Sequence, residues 1–199
     1  MVGKIRVKKT ARKRGTITRK KDKAKNETTA QSIERQWYAN ANNAPAFFLA
    51  GDPGANGAIV VLGRAGRVVQ RIRLAKSIPP VVANSLQDLH MLRSEMICGV
   101  EEIHANPRSA YASMRLGEER GLIVGILAGV GLPSPYEIKP TAWQTDMACK
   151  TGGDKGVTRF RANQLCLNRP EINDGIDWTD ADADAYLMAE WMRRIFYGF

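Results

Sequence analysis

The sequence is poor in cysteine, and its three, Cys98, Cys149 and Cys166, form no CxxC pair. An odd number without paired spacing excludes a disulfide framework or a zinc ribbon, so the chain folds on its apolar core and a reducing compartment is expected. Long apolar runs are also missing. The longest near-continuous one, Gly121 to Leu132, falls far short of the roughly 20 residues that span a bilayer. No apolar stretch follows the N-terminal positive charges as it would in a secretory signal. A soluble protein with no membrane partner is expected. There is no GxxxxGK[ST] and no GxGxxG, which removes the common nucleotide-binding loops.

Negative charge is almost absent from residues 1–25, which hold 12 Lys+Arg against one acid, Asp22. The 199-residue chain has 30 Lys+Arg and 20 Asp+Glu, a net of +10, so residues 26–199 hold 18 against 19, a net of −1. The basic excess therefore belongs to the tail. That tail has few large apolar side chains and cannot offset its chain entropy by burial, so it is expected to be disordered when free. It reads as a solubilising or targeting extension, or as an arm that binds DNA phosphates through residues such as Arg12, Lys13, Arg14, Lys20 and Lys21. Its Lys-heavy block lacks the Arg/Ser amphipathic pattern of a mitochondrial presequence. The expected division is a basic tail with a short helix and linker over 1–45, and one domain with its own core over 46–199.

What is present along the core alternates between strand and helix patterns. Residues 28–43 suit a short helix around Ile33, Trp37 and Tyr38, followed by an Asn/Ala-rich linker. Phe47 to Gly51, a short apolar run closed by Asp-Pro-Gly, predicts a buried central strand. Gly57 to Leu62 and Arg67 to Leu74 predict two more, joined at Gly63-Arg64-Ala65-Gly66 into an antiparallel meander. Ser85 to Arg93 reads as a helix, Glu95 to Glu101 as a strand and Ser109 to Val130 as a long helix. Tyr136 to Ile138 is a short strand ended by Pro140. Thr141 to Cys149 and Val157 to Leu167 are helical on either side of a basic loop, 150–156, and the last helix runs from Thr179 to Phe196. The sum is a mixed α/β sheet with helices on its faces. Gly117, Gly121, Gly125 and Gly129 form a bare row on the long helix, expected to pack against the sheet, with a subunit contact as the alternative.

Asp52, Glu101, Asp180 and Asp184 each stand where an apolar element ends. Three distant segments could thus bring carboxylate oxygens to one point, which is how a site for hard divalent cations is built. Asp180 and Asp184 are four apart and share a helical face, while Asp182 points about 160 to 200° away. With Thr179 as N-cap, Asp182 occupies N3 and is expected to cap the helix or face solvent. A calcium loop of the helix-loop-helix kind does not fit, because Ala185 stands where Gly is needed and Trp191 where Glu is needed. Asp52 could equally be a turn former beside Pro53. Alternation sends Glu101 and Glu102 to opposite faces of their strand, and spacing alone does not choose between them.

The segments GDPGANGAIVVL, VEEIH, LGEERGLIVGILAG, IKPTAWQ and DADAYLMAEW, in that order from about residue 46 to residue 197, resemble the RuvC-like Holliday junction resolvases. The resemblance implies an RNase H-like fold, with a mixed five-stranded sheet flanked by helices. It also implies a metal-dependent DNA endonuclease, a homodimer that nicks two opposed strands of a four-way junction. It matches Asp52 to the first-strand Asp, Glu101 to the Glu of an I-E-Q-type motif, and Asp184 to the acid of a terminal D-A-L-type helix. Bacterial members place the partner acid three residues earlier, where this chain has Ala181; chloroplast-type members place it four earlier, where Asp180 stands.

By the same resemblance two Mg²⁺ (or Mn²⁺) ions about 3.5 to 4 Å apart would be bridged by Asp52, with Glu101 on one and Asp180 and Asp184 on the other. The product would carry a 5′ phosphate. Lys155 resembles the family's basic residue near the scissile phosphate. His104 matches an aromatic that stacks on junction bases. Lys139 and Lys150 are further candidates for phosphate contacts. A cytoplasmic location, in a bacterium or a phage-infected host, goes with this reading, and an organellar one is compatible with it.

Asp52-x-Gly54-x-x-Gly57 also resembles the phosphate loop of actin-like and sugar-kinase ATPases, which need two such domains where this chain has room for one. The competing readings are an RNase H-fold nuclease for other branched DNA or RNA–DNA hybrids, and a non-catalytic DNA-binding module.

Overall fold

Phe47–Asp52 (β1) is apolar except for its last residue, and the fold is built around it. In the computed structural model, which describes residues 27–54, 56–74, 79–104, 109–150, 152, 154, 156–168 and 176–198, β1 is the middle strand of five. On one side it pairs antiparallel with Ala58–Gly63 (β2), which pairs antiparallel with Val68–Arg73 (β3). On the other side Met96–Glu101 (β4) runs parallel to β1, and Tyr136–Ile138 (β5) parallel to β4. The order β3-β2-β1-β4-β5 is the mixed five-stranded sheet predicted from sequence.

Strand alternation divides the core into two layers. Phe48 and Ala50 of β1, Ala58, Val60 and Leu62 of β2, Ile97 of β4 and Ile138 of β5 face one side. That side is covered by Thr29–Tyr38 (α1), Pro140–Asp146 (α4), Gly156–Leu167 (α5) and the last helix, Asp180–Tyr197 (α6). Leu49, Ile59, Val61, Cys98 and Val100 face the other, under Pro79–Gln87 (α2), a 3₁₀ segment at Asp88–Glu95 and Ala110–Gly129 (α3). The layer under α6 holds the fully buried Trp143, Trp191 and Tyr186.

The helices begin where their caps dictate. Thr28 and Gln31 form a capping box at α1, and Ser109 caps α3 by accepting from Ala112 N. Although α1 falls on the tail side of residue 45, it packs Ile33 into the core and sets Trp37 edge-on to Phe196. No helix among the described residues is long and apolar enough to cross a membrane.

Three expectations are corrected. The helix expected over Ser85 to Arg93 begins at Pro79 and ends at Gln87, with 3₁₀ geometry beyond it. Prolines in a first helical turn lose no backbone hydrogen bond, so Pro79 and Pro80 open α2 instead of preventing it. The helix expected to reach Cys149 stops at Asp146, where the chain turns through Ala148 at φ 54°. The glycine row of α3 does not pack on the sheet: a Cβ at Gly117, Gly121, Gly125 or Gly129 would meet nothing within 4 Å. Ile123 and Leu127 lie about 200° round the helix from Gly121 and Gly125 and take the core-facing side instead.

Candidate active site

The C-terminal ends of β1 and β4 are level, because Gly51 pairs with Val100 in parallel register. Asp52 and Glu101 come next in their strands. Alternation from Phe48 and Ala50, and from Ile97, puts both on the face that α6 covers. Their cross-strand partners agree, since Asp52 pairs with Ala58 and Glu101 with Ile138, both in that same layer. Glu102 belongs by alternation to the opposite face, and its N–H donates to Ile138 O at 2.8 Å. The sheet thus separates the two glutamates that spacing leaves open: Glu101 shares the face of Asp52, and Glu102 does not.

The turn after Asp52 is tight. Gly57 N donates to Gly54 O at 2.6 Å, and a Cβ at Gly57 would collide with Asp52 O. Only glycine lets the chain fold back here without displacing the backbone of Asp52.

The first turn of α6 is fixed to the same end of the sheet. Thr179 and Asp182 form a capping box, with Asp182 N donating to Thr179 Oγ1 at 3.2 Å and Thr179 N to Asp182 Oδ2 at 3.3 Å. Asp182 caps as expected but does not face solvent. It is fully buried, and Oδ2 also accepts from Arg73 Nε at 2.8 Å and Arg71 Nη1 at 3.4 Å. The hydrogen bond to Asp182, reinforced by its charge, raises the Arg73 pKa above the usual guanidinium value. Arg71 and Arg73 come from β3 and also donate to Asp177 O, at 2.7 and 3.3 Å. Sequence spacing identifies the cap, but it holds no sign of two arginines arriving from more than a hundred positions away.

With Asp182 anchored toward β3, Asp180 and Asp184 occupy the opposite side of α6, toward α4 and α5. Asp180 Oδ1 lies 3.0 Å from Arg159 Nε of α5 without hydrogen-bond alignment. Asp184 is half-buried beside Cys149, whose thiol is pushed up to about 11 by burial and then by the Asp184 carboxylate, with Arg161 opposing. Glu101 Oε1 accepts from Trp143 Nε1 of α4 at 3.0 Å.

The backbone therefore brings all four positions to one edge of the sheet, on one face. The side chains are not drawn together: among the described residues no group of three or more His, Cys, Asp or Glu is arranged to hold a metal ion. Glu101 is turned to Trp143 and Asp180 to Arg159, and like-charged carboxylates separate unless a cation lies between them. The donor set nevertheless fits a hard divalent cation, being all carboxylate oxygen, with Asp180 Oδ1 buried and lacking an aligned donor.

His104 is exposed, three residues past Glu101. Lys139 is exposed at the N-cap of α4, directly after Ile138, and Lys150 is exposed after Cys149. Lys155 and the tail residues Arg12, Lys13, Arg14, Lys20 and Lys21 lie outside the described residues. Two residues that touch the carboxylates, Trp143 and Arg159, go unsingled by sequence reasoning. Trp143 looks there like one more apolar helix residue, and Arg159 like one more surface charge.

The strand order, the level ends of β1 and β4 and the helices on both faces make this an RNase H-like α/β fold. Among solved structures the chain is similar to RuvC of T. thermophilus in complex with a Holliday junction substrate. The TM-score is 0.53 at 17% identity, over 76% of this chain and 94% of that one. A second Thermus thermophilus RuvC structure gives a TM-score of 0.52 at 18% identity with the same coverage. No protein-family model matches the chain, and no curated protein sequence does. The likeness to RuvC is one of fold.

Proposed function

We propose that this chain is a divalent-metal-dependent DNA endonuclease that resolves four-way junctions by paired phosphodiester hydrolysis. The observation that carries the reading is the register of β1 against β4. It sets Asp52 and Glu101 side by side on the face where α6 presents Asp180 and Asp184. Four acids from three separate segments stand on one edge, and their oxygens are the ligands that Mg²⁺ or Mn²⁺ selects. Asp52, Glu101, Asp180 and Asp184 would hold the ions, which when bound activate water and neutralise charge on the scissile phosphate and its leaving oxygen.

The rest of the chain's contribution is recognition. Lys139 and Lys150 are exposed cations that meet backbone phosphates near the carboxylate edge, and Lys155 is assigned to the scissile phosphate itself. His104, just past Glu101, stacks on an unpaired base. The basic tail supplies attraction that is independent of sequence. The bare outer face of α3 serves as the contact between two copies, so that two sites address two opposed strands. The fold it shares with a RuvC that holds a Holliday junction substrate supports this substrate class over linear duplex.

The test is cleavage of a synthetic four-way junction by the full chain in Mg²⁺ and in EDTA, beside a linear duplex and an RNA–DNA hybrid of the same sequence. Paired nicks on the junction alone, abolished by EDTA, are expected. Equal cutting of all three substrates defeats the junction assignment, and no cutting of any defeats the enzyme.

A further inference from the structure

Trp143 is fully buried, and its single polar atom, Nε1, points at the Glu101 carboxylate, donating to Oε1 at 3.0 Å. Local sequence places it there. β5 pairs Ile138 with Glu101, Lys139 stands at the N-cap position of the next helix, and Pro140 opens α4 at once, so the first turn of α4 lies beside the end of β4. α4 is in turn tied to its neighbours. Trp191 Nε1 of α6 donates to Asp146 Oδ2 at 2.8 Å, and Arg161 Nε of α5 to Met147 O at 2.8 Å. Two buried indoles thus run from α6 to α4 and from α4 to β4.

We infer that Trp143 is a positioning residue that fixes the plane of the Glu101 carboxylate for cation binding. This rests on the reading of Glu101 as a metal ligand. An ionised carboxylate offers about four lone-pair sites, and one indole N–H occupies one of them. A neutral donor holds the group without competing for the site as a cation would, in contrast to Arg159 beside Asp180. Breaking the bond strands a buried N–H, so the pair is held in place even when no ion is bound. Partners that orient metal ligands from behind typically contribute 10- to 100-fold in metal affinity or activity.

The experiment uses the full chain without DNA and reads Mn²⁺ binding by electron paramagnetic resonance. Trp143→Phe removes the N–H but also volume. A second variant therefore carries at 143 the tryptophan analogue with sulfur in place of the indole N–H, which keeps the shape. The expected result is Mn²⁺ binding weakened about 10- to 100-fold in both, with the metal-free melting temperature of the analogue protein close to that of the parent. In junction cleavage the half-saturating Mg²⁺ rises, while the rate at saturating Mg²⁺ recovers most of its value. Parent-like Mn²⁺ binding by the analogue protein overturns the inference, whatever Trp143→Phe does. Absence of Mn²⁺ binding by the parent overturns it together with the metal site. If the parent binds Mn²⁺, the analogue weakens it and no junction is cut, the inference stands and the proposed substrate fails.

Discussion

Arg73 donates from Nε to Asp182 Oδ2 at 2.8 Å, joining the last residue of β3 to the first turn of α6. Asp182 is fully buried while the Arg73 side chain is about half exposed, so the pair is a surface-anchored clamp on a buried cap. Asp182→Ala removes the cap and both arginine partners, and a loss of about 2 to 3 kcal/mol in urea unfolding of the metal-free protein is expected. Arg73→Ala leaves Arg71 in place and is expected to cost no more than about 1 kcal/mol. Equal effects of the two would show that the pairing with Arg73, not the cap, sets the cost.

Asp52→Asn and Glu101→Gln each remove one charge from a cluster of like sign. Cleavage is expected to fall by about three orders of magnitude, in line with the loss of a group that acts mainly on transition-state charge. Junction affinity in EDTA stays within a few-fold, and the metal-free protein is no less stable, because repulsion is relieved. Glu102→Gln, on the other face, leaves cleavage at the parent rate. Gel-shift and cleavage assays on one junction separate these outcomes.

Burial in β4 pushes the Cys98 thiol up to about 12. The neutral thiol is thus favoured in the fold. Its contribution is complete below the ordinary thiol value and is lost as pH rises from there toward 12, because only the unfolded chain releases the proton. The melting temperature is expected to decline between about pH 9 and 11, and Cys98→Ala flattens that decline while lowering stability at pH 7 through its cavity. An unaltered slope in Cys98→Ala would assign the alkaline loss to other groups.

The bare face of α3 yields two opposite results from one row. Gly117→Ala meets nothing within 4 Å and is expected to stabilise the isolated chain by up to about 1 kcal/mol through helix propensity. Gly121→Glu and Gly125→Glu place charge in the proposed contact between copies. Sedimentation of the parent should show a dimer, and of these variants a monomer; a dimer in all three rules the face out as the interface.

β1 was readable as a short apolar run closed by a turn, β4 as a strand ending at Glu101, and Asp180 with Asp184 as one helical face, because these depend on neighbours a few positions apart. Glu101 over Glu102 was not readable from spacing, since it takes the pairing of β4 with β1 and β5 to say which face is which. The start of α2 was hidden by Pro79 and Pro80, whose usual meaning as breakers reverses in a first turn. The burial of Asp182 and the hydrogen bond of Trp143 went unread for the same kind of reason. Their partners, Arg73 and Glu101, come from strands remote in sequence, and no local pattern records a tertiary hydrogen bond.

Gly99 sits two residues before Glu101, where a Cβ would stand 2.9 Å from Met192 Sδ and closer still to Ile138 Cδ1. The absence of a side chain there leaves room over β4 for the Met192 thioether of α6 and the end of Ile138 from β5. From residue 192 back to Asp184 is about 12 Å of helix at 1.5 Å per residue, so any lift at Gly99 is carried along a stiff rod to the carboxylate end. A methyl at 99 would therefore have to displace two flexible side-chain ends before it moved the helix that carries Asp180 and Asp184, and that slack separates the packing of the core from the fit of the site.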